Sequence, residues 1–502
     1  MNYKKLLNDP KFIIIALFLF SLIIRIIFKN GGLFHFDSYA DARTVEQILE
    51  NGKMMYSYAY GSPMTMIFVF IFFIINHLIT GATSAEAAYF FATFLTAALS
   101  TVLLYMIVKK ITKNNFISAS AALIFTLTPT FLAVTTYPKT HSISVFFALL
   151  GGYLLLLAAE KTSTKHLIFS GLSFGASIGT RPFAALYIIP FALLYFSPKI
   201  KEKTLCLNKE KFNLKNIFTF IISVAIVPTV LFIPWWLEKG FSNFLSTINP
   251  QIETRGGYLG LISKETIPSF LKIKASFTWV GVALGILGSV YLYLKKKKFL
   301  LFVLLLWFAL YLFSIGNLAR VHARFLIPAF IPLAILAAFG LRMIHKKSKA
   351  FAYLVLIILL VSMFAVVYPI ISYRHDYSGT KEFANFVKEN TEENAVIMSN
   401  DLGFFIQYYG NRTKITHPRS GNDQEIQQFI QELKDYNAKE ISVYSTEEGF
   451  GIDPEGKVLT AIQENFDVLL VGEQENEWYG GSSLELKKYN EKLFKLVSKN
   501  QN

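Results

Sequence analysis

Long apolar runs separated by short polar, lysine-rich breaks fill the first three-quarters of the chain, and the pattern stops near residue 373. The runs fall at roughly 12–28, 85–108, 116–134, 142–159, 166–180, 182–197, 217–234, 277–294, 299–316, 325–341 and 351–371. Most approach the roughly 17–25 residues that an apolar helix needs to cross a bilayer, so the pattern predicts about eleven transmembrane helices. Basic clusters test that count. Lys4/Lys5, Lys109/Lys110/Lys113, Lys161/Lys165, Lys199 to Lys215, Lys295 to Lys298 and Arg342/Lys346/Lys347/Lys349 all share one side when eleven runs cross, the side that the positive-inside rule makes cytoplasmic. One further apolar run, 64–80, would invert every later loop if it crossed, and is therefore expected to lie along the outer surface or dip in without crossing. The runs flanking Thr180-Arg181-Pro182 are short and are expected to meet below the outer surface, with Arg181 near the membrane boundary.

This parity puts the N-terminus in the cytoplasm and five regions outside: 29–84, 135–141, 234–278, 316–324 and everything after Tyr373. Beyond Arg374 the chain turns polar, with β-rich runs at 395–399, 440–444 and 466–471 and amphipathic helical stretches at 423–435 and 456–465. Alternation of this kind predicts a small α/β domain. The organisation read from the sequence is a membrane module over 1–373, containing the outer loop 29–84, followed by an extracytoplasmic α/β domain over 374–502.

Composition agrees. With 53% hydrophobic and only 17% charged residues, against about 25% in soluble domains, the 502-residue chain is a polytopic membrane protein. Lys+Arg of 49 over Asp+Glu of 34 gives +15, but the cations sit in loops between apolar runs, so they imply bilayer topology and no nucleic acid. The single Cys206 excludes an intramolecular disulfide. Lys4 and Lys5 precede the first run without a small-residue cleavage site after it, which reads as a retained anchor.

An acid at the lip of a bilayer is costly unless solvated, paired or used. Asp37, in Phe36-Asp37-Ser38-Tyr39-Ala40-Asp41, is the candidate catalytic carboxylate, although a loop acid before a helix also serves as an N-cap. The outer face gathers cations suited to a phosphate: Lys139, Arg181, Arg320 and Arg324 as candidate lipid-phosphate ligands. His35, Asp41, His141, Glu253, Arg255 and His322 are candidate substrate contacts, with Trp235, Trp236 and Tyr258 near the long outer loop for stacking or interfacial anchoring. The residues require no cofactor, and a divalent metal stays open. Asn411-Arg412-Thr413 forms a glycosylation acceptor pattern.

Taken together, the chain resembles the GT-C superfamily of lipid-linked-sugar glycosyltransferases, in particular the protein O-mannosyltransferase and aminoarabinose transferase branch. The resemblance rests on Asp37 in the first outer loop, the non-crossing segment after Pro63, Phe91-Ala92-Thr93-Phe94-Leu95-Thr96-Ala97-Ala98-Leu99, Gly179-Thr180-Arg181-Pro182, Arg324-Phe325-Leu326-Ile327-Pro328 and the outer tail. It implies a polyprenyl-phosphate-linked sugar as donor, a protein, lipid or glycan hydroxyl as acceptor, Asp37 as base, and inversion at the anomeric carbon, all on the outer face of the cell membrane. The chain departs from the family pattern where Ser38 follows Asp37, where His141 replaces a second acid, and where Gly61-Ser62 precede Pro63. The rival class is a transporter or flippase of lipid-linked sugars, which predicts polar breaks inside spans or an internal repeat.

Overall fold

The computed structural model describes residues 9–52, 63–196, 213–239, 266–316, 322–376, 378–400, 402–416, 418, 422–450, 456–478 and 487–499. They form two compact units: one of residues 1–29 and 44–372, the other of residues 30–43 and 373–502.

In the first unit every one of the eleven apolar runs is helical. The helices are α1 (Pro10–Ile27), α3 (Pro63–Thr80), α4 (Glu86–Thr112), α5 (Asn115–Leu127), α6 (Pro129–Thr135), α7 (Thr140–Lys161), α8 (Thr164–Thr180), α9 (Ile188–Phe196), α10 (Leu214–Lys239), α11 (Thr266–Leu294), α12 (Lys298–Ser314), α13 (Ile327–His345) and α14 (Lys349–Asp376), with α2 (Phe36–Asn51) following the first run. Among the described residues eight helices are long and apolar enough to cross a membrane, and α5 with α6 makes a ninth if that bent pair is one span. The eight include Pro63–Thr80, while Pro182–Phe196 and Lys298–Ser314 are apolar but shorter.

Local sequence explains the ends. Asp9 caps α1 by accepting from the Lys11 amide at 2.9 Å, and Pro10 sits at its first turn, where no donor is lost. Pro129 breaks the ladder between α5 and α6, which meet at 61°. Inside α11, Thr278 leaves helical geometry and its hydroxyl accepts from the Gly281 amide at 3.4 Å, restarting the helix. Arg181 is extended (φ −152°, ψ 117°) because the proline after it disfavours the helical region, so α8 stops there and a 3₁₀ turn, Pro182–Tyr187, follows. A second 3₁₀ turn, Ala323–Leu326, leads into α13 with Pro328 in the first turn of that helix.

Burial sorts the helices. The apolar windows of α4 and of Ala323–His345 are 78% and 89% buried, whereas those of α1 and α10 are 17% and 11% buried. Ile26 and Phe218 on these outer helices are more than half exposed, as a surface covered by hydrocarbon requires. The inner helices use small and hydroxyl residues. Thr96 and Ser100 in α4 return their hydroxyls to the carbonyls of Ala92 and Thr96, both at 2.7 Å, so the polar atoms cost nothing inside the bundle. Where α11 crosses α13, a Cβ on Gly288 would stand 1.8 Å from the Leu336 carbonyl oxygen, so the backbones touch directly.

The second unit contains a five-stranded sheet in the order β2 (Thr413–Ile415), β1 (Val396–Met398), β3 (Val443–Thr446), β5 (Lys487–Ser498), β4 (Phe466–Trp478). β1 runs parallel to both β2 and β3, whereas β5 is antiparallel to β3 and β4. Ile426, Phe429, Ile430 and Leu433 of α17 (Asp423–Ala438) and Val458 and Ile462 of α19 (Lys457–Asn465) pack on Met398, Val443 and Leu496 of the sheet. The short helices α15 (Gly379–Glu389), α16 (Leu402–Tyr409) and α18 (Glu447–Phe450) complete the unit. The strand expected at 440–444 begins later, at Val443. Glu440 takes a left-handed φ of 59° and the Ile441 amide turns back to the Tyr436 carbonyl at 3.0 Å, so these residues finish α17.

Residues 30–43 are woven into this second unit. The Gly31 amide donates to the Arg374 carbonyl at 3.0 Å, the Leu33 amide to the Tyr409 hydroxyl at 2.7 Å, and the Tyr39 hydroxyl to Gln407 at 3.0 Å. Tyr39 also packs its ring against Phe404 and Tyr408, and the Arg374 guanidinium lies 5.1 Å above the Phe34 ring.

Candidate functional site

The first unit holds a cleft open on one side, about 380 Å³ with its solvent-facing space included, and three residues singled out in the sequence line it: His141, Arg181 and Arg324. His141 is placed by the first turn of α7, Arg181 by the proline-enforced break after α8, and Arg324 by the 3₁₀ turn before α13. One Arg181 nitrogen donates to the Thr140 hydroxyl at 3.0 Å and approaches His141 Nδ1 at 3.3 Å. An arginine cannot accept, so Nδ1 is the lone-pair nitrogen there and the imidazole is neutral with its proton on Nε2.

A single ring orders the cations. The Arg181 and Arg324 guanidinium groups lie 5.0 and 5.3 Å from the Phe325 ring centroid, and the His141 and His322 rings are 6.0 and 5.8 Å from it. Cation–π contact stabilises each guanidinium by roughly 0.5–2 kcal/mol. Two like charges sharing one ring in an apolar surrounding repel, and an anion seated beside them relieves that repulsion. The rest of the lining is aliphatic and aromatic, including Phe183, Tyr187, Tyr311, Ile315 and Ile327. Such a cleft can hold an anionic head group with an apolar body against its walls.

Lys139 is buried at the N-cap of α7, its amide donating to the Thr93 hydroxyl at 3.4 Å, and it does not line the cleft. His322 is half-buried. Arg320, Glu253, Arg255 and Tyr258 lie outside the described residues. Trp236 is half-buried in the last turns of α10.

In the second unit, Asp37 falls in the first turn of α2 and does not cap it. The cap is His35, whose carbonyl accepts from the Ser38 and Tyr39 amides at 2.8 and 3.2 Å and whose Nδ1 accepts from the Asp37 amide at 3.2 Å. The same Nδ1 stands 3.5 Å from Asp37 Oδ2. One nitrogen cannot accept from the amide and donate to the carboxylate, and the shorter capping bond makes His35 neutral at that atom. The Asp37 carboxylate is partly exposed and sits at the positive end of α2, where a negative charge is favoured. Asp41, one turn on, is fully buried. Asn411 is exposed with a left-handed φ of 50°, while Arg412 beside it is buried and donates to the carbonyls of Lys388, Gly410 and Thr391.

Among the described residues no three His, Cys, Asp or Glu side chains converge as metal ligands. Two features escaped the sequence reading. Arg25 is fully buried within α1, bonded to Ser21 and Thr135; its signal was a charge inside an apolar run. Tyr187 lines the cleft, and no sequence pattern distinguishes it from other membrane aromatics.

Residues 62–233 match the family model described as dolichyl-phosphate-mannose-protein mannosyltransferase. The chain is 27% identical over 274 residues to an undecaprenyl phosphate-alpha-4-amino-4-deoxy-L-arabinose arabinosyl transferase of Wigglesworthia glossinidia brevipalpis, a match covering 52% of this chain and 46% of that relative. Its fold is similar to that of ArnT from Cupriavidus metallidurans bound to undecaprenyl phosphate, with a TM-score of 0.63 at 10% identity over 96% of this chain and 97% of the other. The arabinofuranosyltransferase AftD from Mycobacteria aligns with a TM-score of 0.52 at 12% identity, over 97% of this chain and 40% of the other.

Proposed function

We propose that this chain is a membrane glycosyltransferase of the GT-C type, supported by its likenesses, and that it transfers a sugar from a polyprenyl-phosphate donor to an acceptor hydroxyl on the extracytoplasmic side of the membrane. The observation that carries this reading is the cleft in which Arg181, His141 and Arg324 gather over an aromatic and aliphatic lining. Guanidinium groups suit the oxygens of a phosphate ester, and apolar walls suit the start of a prenyl chain.

The chemistry is one displacement. The acceptor oxygen forms a bond to the anomeric carbon as the bond from that carbon to the phosphate oxygen breaks, which inverts the centre. The acceptor proton goes to the Asp37 carboxylate acting as general base. The electron pair of the broken bond goes to the phosphate, whose growing charge Arg181 and Arg324 stabilise. His141, neutral at Nδ1, steadies Arg181. His322, Glu253 and Arg255 remain candidate contacts for sugar or acceptor, and Arg320 for the phosphate, whereas the buried Asp41 and Lys139 are left with a supporting place.

Radiolabelled sugars on a panel of polyprenyl phosphates, offered to purified membranes, test the reading with wild type beside Asp37→Asn at matched expression. Wild type is expected to transfer label, and the variant to lose at least 100-fold in rate while still binding the lipid phosphate. Normal turnover in Asp37→Asn removes that carboxylate from the base role. Label that crosses a sealed vesicle without being joined to an acceptor replaces the transferase by a flippase.

A further inference from the structure

Two tyrosines pack ring against ring in the wall of the cleft, 5.3 Å between centroids. The Tyr311 hydroxyl donates to the Phe183 carbonyl at 3.3 Å. The Tyr187 hydroxyl has no hydrogen-bond partner among the described residues, although the side chain is only 1% exposed. Buried hydroxyls are rarely left so, because removal from water without a replacement bond is costly. Nor is the group there by default. Phe191 and Trp307 surround Tyr187, at 5.8 Å for the Trp307 ring, and a phenylalanine would fill the same place without a polar atom. The 3₁₀ turn that carries Tyr187 begins directly after Arg181, so one short segment places both residues in the wall of the cleft.

We infer that Tyr187 is a ligand-binding residue whose hydroxyl donates to a phosphate oxygen of the group held by Arg181. This deepens the transferase reading and rests on it, adding a neutral donor to the cations. A neutral donor is useful here because it strengthens as charge grows on the phosphate, without adding a third positive charge beside Arg181 and Arg324. It also gives the free protein a destabilising group that binding relieves, a pattern expected of residues kept for function.

The test uses the full chain in detergent, wild type and Tyr187→Phe, titrated in one arm with inorganic phosphate and in the other with undecaprenyl phosphate. Melting is followed without ligand, and affinity is measured in both arms. Unliganded Tyr187→Phe is expected to melt at or above the wild-type temperature, since an unsatisfied hydroxyl has gone, and to bind about 10-fold to 100-fold more weakly, by a similar factor in both arms. Unchanged affinity in both arms overturns the inference and leaves the transferase reading standing. A loss confined to the lipid arm also overturns it, because the bond would then not be to the phosphate. A lower melting temperature with unchanged affinity makes Tyr187 a packing residue only. Wild type that binds neither ligand removes the cleft as a phosphate site, and the inference with it.

Discussion

At the scale of single residues, Glu392 shows how much one carboxylate can organise outside the membrane. Its oxygens accept from the Tyr444 hydroxyl at 2.7 Å and from Lys495 at 3.0 Å, tying the approach to β1 to both β3 and β5. Burial alone would push this carboxyl up, but the bonds from Tyr444, its own backbone amide, Lys495 and Ser442 outweigh burial and bring it down to about 2. A carboxyl lowered on folding stabilises the folded state above its ordinary value and loses that contribution as pH falls through the folded one. The C-terminal unit is therefore expected to lose stability between about pH 4.5 and pH 2, and Glu392→Gln to flatten that stretch of the curve. Hydrogen exchange of β1, β3 and β5 across the acid range reads the difference. Because the side chain is nearly half exposed, solvent screening keeps the effect modest.

At the scale of elements, two helices carry separable expectations. The α11–α13 crossing works only because Gly288 has no side chain. Gly288→Val must push the helices apart, and overpacking of this kind costs about 1–3 kcal/mol or more, so the purified variant is expected to melt several degrees lower. The α3 helix is long and apolar enough to cross a membrane, whereas charge parity predicts that it stays on the outer side. Thr83→Cys, with Cys206→Ser, is expected to react with a membrane-impermeant maleimide added outside intact cells. Labelling only after the cells are opened would make α3 a true span and reverse every later loop.

For the whole molecule, the apolar runs were legible because a bilayer demands long apolar stretches, and all are helical where described, although 116–134 is two helices bent by 61° and 182–197 opens with a 3₁₀ turn. The amphipathic stretches at 423–435 and 456–465 were legible because three-to-four-residue spacing survives in any sequence that packs a helix on a sheet. Arg181, His141 and Arg324 were legible as cations where the positive-inside bias disfavours them, and they line one cleft. Strand β5 was not. In Lys487 to Ser498 the lysines and glutamate dilute the apolar alternation, and only the pairing with β3 and β4 reveals Leu493 and Leu496 as core. Three-residue β2 is too short to show any period. The N-cap role weighed for Asp37 as an alternative falls instead to His35, two positions earlier and a rare capping residue that no local pattern announces. The unsatisfied hydroxyl of Tyr187 is a property of neighbours far away in sequence, which no local pattern encodes. Residues 30–43 likewise belong with a part of the chain that begins more than three hundred positions later.

That last feature has a meaning in time. Leu33 and Tyr409 are 376 positions apart, and Tyr39 and Gln407 are 368 apart. At the roughly 5–20 residues per second of synthesis, the turn bearing Asp37 waits on the order of half a minute for the groups that hold it. The nascent protein threads its helices while that turn is still unsupported, and gains a structured loop only when the last quarter of the chain has been delivered. Whatever the turn bearing Asp37 does must therefore wait for residues beyond 373 to be made.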